Sequence, residues 1–462
     1  MSSTAAQRRG GELAIVLHTH MPYVEGYGTW PFGEEWLWEA IATCYLPLLD
    51  VLARAPITLS LTPVLCDQLE APGAMERCVT FLREVRKESH RRDIEAFRAS
   101  AQPKLVAELE RSAAQYAAAA DRLEDLGDDL LAAFAPYVSW TSAATHAVLP
   151  LLATDAGAAM QVRTGIASHR RRFGNWHGGF WLPECAHAPW LDPLLEESGA
   201  RATCVELTEM FGLGSPRHLH PLVSDDGPVL WPIDRQTMSL VWSEAGYPAA
   251  PDYRDYHGLT FHHHHAWCNE GTPYDHAVAM AMVREHAADF VRHVGERVRD
   301  GGVCVCPLDT ELLGHWWYEG VDWLREVIEE CARQGLGLTT LDDALATHEP
   351  EPAPEHLPTT SWGESGDLST WSGPAVADLA WQARSAELRT IAAGTDAPVR
   401  AVRELLALQA SDWAFQAARG GAGEYPRERA AGHLRALDQA LAGAVSDGAV
   451  RNLAPDLCGR LY

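Results

Sequence analysis

A parallel α/β barrel followed by an all-helical C-terminal region is the fold class that the sequence predicts, on three observations. Short apolar segments alternate with helical patterns from the start to about residue 345, which at this length favours a barrel of parallel strands over a doubly wound sheet. No Gly-rich phosphate loop follows the first apolar segment, where a dinucleotide-binding sheet would need one. From Gly373 onward the pattern is almost wholly helical.

The elements follow in order. Leu13–Leu17 reads as a buried strand, Trp36–Ala53 as a helix and Ile57–Leu61 as a second strand. Residues from about Lys87 to Phe134 are charged and Ala-rich, with Leu105, Leu109, Tyr116, Leu123 and Leu130 near heptad spacing. They predict a helical insertion on the barrel, over about 85–137. Gly179–Leu182, Thr203–Leu207, Val229–Ile233 and Val303–Pro307 are further buried strands, and Asp275–Arg299 and Val321–Gln334 further helices. The run Glu349-Pro350-Glu351-Pro352-Ala353-Pro354 predicts a stiff linker. The expected division is a catalytic barrel over 1–348, a linker with a Trp-bearing loop over 349–372, and a helical domain over 373–462.

Composition narrows the function. The 462 residues are 47% hydrophobic, so a sizeable core is available. Sixty-three acidic residues against 37 basic ones give a net charge of −26, which argues against nucleic acid or an anionic membrane as partner. Ten Cys contain no C-x-x-C pair, so neither a disulfide scaffold nor a zinc knuckle is indicated. No apolar run approaches the ~18 residues of a membrane span, and the start shows no small-residue cleavage site. A cytoplasmic enzyme is expected.

Barrel enzymes carry their chemistry where strands end at the C-terminal face. Glu184 closes one predicted strand and Asp309 another. Strand-end acids are often only helix caps, but these two keep company with Trp181, His187, His315, Trp316 and Trp317. Two carboxylates flanked by indole rings suit glycosidic bond cleavage, in which one attacks or acts as base, the other donates a proton, and the rings stack on sugars. His18-Thr19-His20 follows the first strand. Its imidazoles can hydrogen-bond sugar hydroxyls. Alternatively they join His146, one of His262–His265 and Asp309 in a metal-hydrolase constellation. The four-histidine run itself reads as a solvent-exposed loop. Cys304 and Cys306 read as buried small hydrophobes. Trp362 and Trp371 stand in a polar, Gly-rich stretch with no evident core to pack in, which suggests a substrate platform.

Four motifs stand out together: His18-Thr19-His20-Met21-Pro22-Tyr23, Thr141-Ser142-Ala143-Ala144-Thr145-His146, Trp181-Leu182-Pro183-Glu184-Cys185 and Leu308-Asp309-Thr310-Glu311-Leu312-Leu313-Gly314-His315-Trp316-Trp317. In this order they resemble glycoside hydrolase family 57, and within it the 1,4-α-glucan branching enzymes. Ser361-Trp362-Gly363, Trp371 and Ser411-Asp412-Trp413-Ala414-Phe415 extend the resemblance into the helical region. The stretch from Trp371 to Leu379 is similar to actinobacterial members thought to act on methylated glucose polysaccharides. The resemblance implies a (β/α)7 barrel with a helical insertion and a helical C-terminal domain. It also implies a retaining mechanism, with no metal or organic cofactor. Glu184 then matches the nucleophile and Asp309 the acid/base. His18, His20, Trp36, His146, Trp267, Trp362, Trp371 and Asp412 fall where family members line the substrate groove, and Trp316 and Trp413 join them as candidate contacts. The implied partner is an α-glucan, either amylose- or glycogen-like or methylated, bound by a monomer or weak homo-oligomer.

Three departures bear on transfer. An Arg that branching enzymes carry before Asp234 is Ile233 here, and their Gly-Tyr-Pro-Gly is Gly246-Tyr247-Pro248-Ala249. The loop that carries a Tyr needed for transfer is shortened to about Leu213–Val229 and contains no Tyr. An α-amylase-type hydrolase on the same frame is therefore the alternative. A metal-dependent amidohydrolase and a non-catalytic glucan-binding protein are the alternatives of another class.

Overall fold

The structure is a computed structural model that describes residues 10–28, 32–127, 129–224, 226–444 and 452–458. Its sheet is built from β1 (Glu12–Thr19), β2 (Thr58–Leu61), β3 (Val138–Ser142), β4 (Gly179–Trp181), β5 (Ala202–Val205), β6 (Leu222–Val223), β7 (Val229–Pro232), β8 (Val303–Asp309), β9 (Gly337–Leu338) and β10 (Glu351–Pro352). Seven of these lie parallel in the order β8-β1-β2-β3-β4-β5-β7. Strands buried on both faces need continuous apolar runs, and β1 and β8 supply them. All of Leu13–Leu17 and Val303–Cys306 are buried.

The seventh strand does not close on the first by a ladder among the described residues. One backbone bond, from Asp234 N–H to the Val305 carbonyl at 2.8 Å, crosses that seam. The chain at Leu219 packs so tightly on Gly302 that a Cβ there would lie 2.7 Å from the Leu219 Cβ. The barrel is therefore seven-stranded and incompletely closed.

Three expectations change. β3 was not predicted, because Val-Ser-Trp-Thr-Ser is too polar to read as a buried strand, although Trp140 inside it is fully buried. The Pro-rich stretch is not a free linker: β10 pairs with β6, and the Ala353 N–H reaches the Val223 carbonyl. The expected helix from Trp36 to Ala53 is interrupted. Glu34–Ala40 and Leu46–Leu52 flank a π-helical turn at Ile41–Tyr45. Pro47, which has no N–H to donate, sits just past that turn.

The insertion consists of the helices Lys87–Ala99, Pro103–Asp125 and Leu130–Phe134. The C-terminal helices Ala377–Ala392, Val399–Leu408, Ser411–Arg419 and Tyr425–Leu441 share a second apolar core with Tyr23, Ala144 and Ala186 from the barrel mouth. Burying that shared face fixes the helical region over the C-terminal ends of β1, β3 and β4. Among the described residues, no helix is long and apolar enough to cross a membrane.

Candidate active site

Where β1, β3, β4 and β8 end, four acids and three histidines converge. Glu184 follows β4 in a left-handed backbone conformation, φ 61° and ψ 20°, and Cys185 (φ 49°) and His146 (φ 61°) share that region of φ. Such backbone costs about 1–3 kcal/mol per non-Gly residue and persists only where surroundings dictate it. At His146 the Ser411 N–H donates to the carbonyl at 3.0 Å, and around Glu184 the segment 360–362 dictates it. His187 and Thr360 exchange backbone bonds at 2.9 Å, and the Trp362 N–H donates to the Glu184 carbonyl at 3.1 Å. The Trp362 indole N–H then donates to Glu184 Oε2 at 2.9 Å.

The carboxyl of Glu184 is pushed up by burial, while hydrogen bonds from Trp362 and Ser411 pull it back down. Asp309 is pushed well above the usual carboxylate range, by burial first and then by the charges of Glu184 and Glu311. No donor among the described residues reaches its carboxyl, and it remains partly exposed. The pair is thus split by its surroundings, with two donors on one acid and none on the other.

His20 bridges the barrel to the helical region through Asp412, at 3.0 and 3.1 Å. Burial opposes its protonation, but the charge and hydrogen bond of Asp412, with the charges of Glu311 and Glu184, together outweigh burial and raise its pKa. The His20 ring stacks on His146, with centroids 4.0 Å apart. His146 Nδ1 meets the Ser411 hydroxyl at 2.8 Å, and its Nε2 faces His18 Nε2 at 2.9 Å. Burial lowers both His18 and His146 well below the usual imidazole value. His18 is fully buried, stacked on Trp181 at 4.8 Å with its Nδ1 beside Ser60 at 3.3 Å. It therefore orients His146 from behind, where direct sugar contact was expected.

Other expected groups are placed differently as well. Trp371 is 3% exposed and Trp413 is 1% exposed; both pack in the helical core. The open platform expected of Trp371 is corrected, because the helices after it supply the core that its sequence surroundings lack. Trp413 donates its indole N–H to the Ala407 carbonyl at 2.8 Å and backs Asp412. His187 turns away to Asp192 at 2.7 Å, and Trp317 is buried. Trp36 and Trp362 are partly buried at the core edge, Trp267 packs on the insertion beside Leu105 and Leu109, and Trp316 is 36% exposed.

Residues 140–355 match the family described as Glycosyl hydrolase family 57, and residues 381–454 match the 1,4-alpha-glucan branching enzyme C-terminal family. A 1,4-alpha-glucan branching enzyme of Thermococcus kodakarensis is 32% identical over 92% of this chain and 72% of its own length. The chain belongs to glycosyl hydrolase family 57. A probable 1,4-alpha-glucan branching enzyme of Mycobacterium tuberculosis is also 32% identical, over 96% of this chain and 94% of its own. The crystal structure of a branching enzyme of this family from Pyrococcus horikoshii superimposes with a TM-score of 0.85 at 32% identity, covering 96% of this chain and 94% of that one.

In this family 57 chain, several supporting residues carried no functional signal of their own. Glu311 is buried, accepting the Tyr45 hydroxyl at 2.6 Å and the His20 backbone N–H at 3.1 Å. Burial pushes its carboxyl up to about 7. The π turn at Ile41–Tyr45 brings Tyr45 beneath it. Gly314 permits the approach, since a Cβ there would sit 2.2 Å from the Thr43 carbonyl oxygen. Arg235 is the other such residue. Its Nε binds Glu206 at 2.7 Å and its terminal nitrogen donates to the Trp362 carbonyl at 2.7 Å. The guanidinium missing at Ile233 thus returns to the barrel mouth from Arg235, just past Asp234.

Proposed function

We propose that this chain is a retaining 1,4-α-glucan branching enzyme, with Glu184 as nucleophile and Asp309 as acid/base. The observation that carries the assignment is the split environment of the two acids. Burial raises both carboxyls, but Trp362 and Ser411 donate to Glu184 and favour its ionised form, as attack on an anomeric carbon requires, while burial and neighbouring charge favour the protonated form of Asp309. Glu184 attacks the anomeric carbon of an α-1,4-linked glucosyl unit, and Asp309 gives its proton to the departing 4-oxygen. Asp309, now a carboxylate, takes the proton of an incoming 6-hydroxyl as that oxygen displaces Glu184. The product is an α-1,6 branch, with configuration retained by two inversions.

Hydrolysis is the competing outcome, favoured by one observation. The short segment after β5 runs to the sheet edge, where β6 pairs with β7, and it contains no Tyr. Incubation with amylose is therefore expected to lower iodine absorbance and to yield α-1,6 linkages together with some new reducing ends. Reducing ends that account for every broken bond, without any branch point, would make the protein an α-amylase-type hydrolase.

The Arg235 clamp predicts a pH effect. Arg235→Met frees the Trp362 carbonyl and loosens the indole bond to Glu184, so the Glu184 pKa rises. Because Glu184 must be ionised, the acid limb of kcat/KM should move to higher pH, and Trp362→Phe should move it in the same direction. An acid limb unmoved in both variants refutes the clamp.

A further inference from the structure

The four-histidine run is only partly the exposed loop that its sequence suggests: His263 is exposed, whereas His264 is buried and His262 and His265 are half-buried. His262 binds Asp93 of the insertion at 2.6 Å, and Thr260 binds the other oxygen of the same carboxylate. The His264 ring lies on His90 with centroids 3.6 Å apart, and its Nε2 meets Ser89 at 3.0 Å. His265 donates from Nδ1 to the Asp255 carbonyl at 3.1 Å. Backbone pairing of Arg254 with Cys268 and of Leu259 with His265 closes the loop on itself. Asp255 caps the N–H groups of His257 and Gly258, both at 2.8 Å. So many fixed contacts make a rigid loop.

That loop presents Tyr256. The Tyr256 ring is 41% exposed, stacked on His265 at 5.4 Å and edge-on to His315 at 6.2 Å. His315 lies on the loop that follows Asp309, and its Nε2 is buried without a hydrogen-bond partner. Burial, then the charge of His265, push its imidazole down to about 3, so it is neutral and its Nε2 can meet a hydroxyl. Trp316 beside it is 36% exposed and donates its backbone N–H to the Glu311 carbonyl at 3.2 Å. An aromatic face with an unsatisfied imidazole nitrogen next to it suits a glucose ring, which offers an apolar C–H face and hydroxyls at its rim.

We propose that Tyr256 and His315 form a glucosyl-binding subsite for the acceptor chain, held in place by the four-histidine run. The reading rests on the proposed branching function. Its side of the mouth follows from chemistry: Asp309 serves both the departing chain and the incoming one, and His315 shares its loop. Trp362 instead donates to Glu184, the nucleophile.

The test compares the parent with Tyr256→Ala, Tyr256→Phe and His315→Ala on amylose, with added maltooligosaccharide as acceptor. The readouts are the ratio of α-1,6 linkages to new reducing ends and the KM for acceptor. Tyr256→Ala should lower the ratio about five- to tenfold and raise the acceptor KM, as loss of an aromatic stacking partner implies. Tyr256→Phe keeps the ring and should stay within about twofold of the parent, while His315→Ala should move both readouts in the direction of Tyr256→Ala. A branching parent whose ratio Tyr256→Ala leaves within about twofold overturns the subsite alone. A parent that makes only reducing ends overturns the branching reading and this acceptor role with it.

Discussion

Glu184→Gln should lower turnover of amylose by about three orders of magnitude or more, because an amide cannot form the covalent glycosyl intermediate. The substitution is nearly isosteric. The amide oxygen can still accept the Trp362 indole N–H that binds Oε2 at 2.9 Å, and the backbone bonds at Glu184 and His187 do not involve the side chain. The variant should therefore melt close to the parent and still bind glucan. Thermal unfolding together with initial rates on amylose separates a lost nucleophile from a lost fold. Activity within tenfold of the parent, in a folded variant, would sink the assignment of Glu184.

The ends of the barrel strands were legible in the sequence because burial on both faces demands unbroken apolar runs, and β1 and β8 have them. Glu184 and Asp309 stood out as acids closing such runs. What surrounds them was less legible. The left-handed backbone at His146, Glu184 and Cys185 leaves no mark in sequence, since none of the three is the glycine that such a φ favours. Trp371 looked open because its neighbours are Ser, Gly and Leu, and only the later helices supply its core. Glu311 and Arg235 act through contacts from remote parts of the chain, Tyr45 and Trp362 respectively. The four-histidine run misled for the same reason: Asp93, His90 and Ser89, which partly bury it, lie on an insertion far earlier in the chain.

Asp309→Asn should lower kcat on amylose by about 10²–10⁴-fold, the usual worth of a positioned general acid. The loss should depend on the leaving group. A glycosyl fluoride departs without protonation, so the first step on that substrate needs no acid, and its loss should be much smaller than the loss on amylose. Equal losses on both substrates would mean that Asp309 does not protonate the leaving oxygen. A second readout follows from linkage. Burial and the charges of Glu184 and Glu311 raise the Asp309 pKa, so the folded state binds its proton more tightly than the unfolded chain does. Stability contributed by this group is present below the ordinary carboxylate pKa and falls as pH rises toward the raised value. At neutral pH the parent therefore carries a destabilising acid that the chemistry needs. Asn removes the titration, and Asp309→Asn should melt no lower than the parent at neutral pH while losing its advantage in acid. A neutral-pH melting point clearly below the parent would mean that Asp309 holds the fold together as well as the reaction, contrary to the lack of any hydrogen-bond donor to it among the described residues.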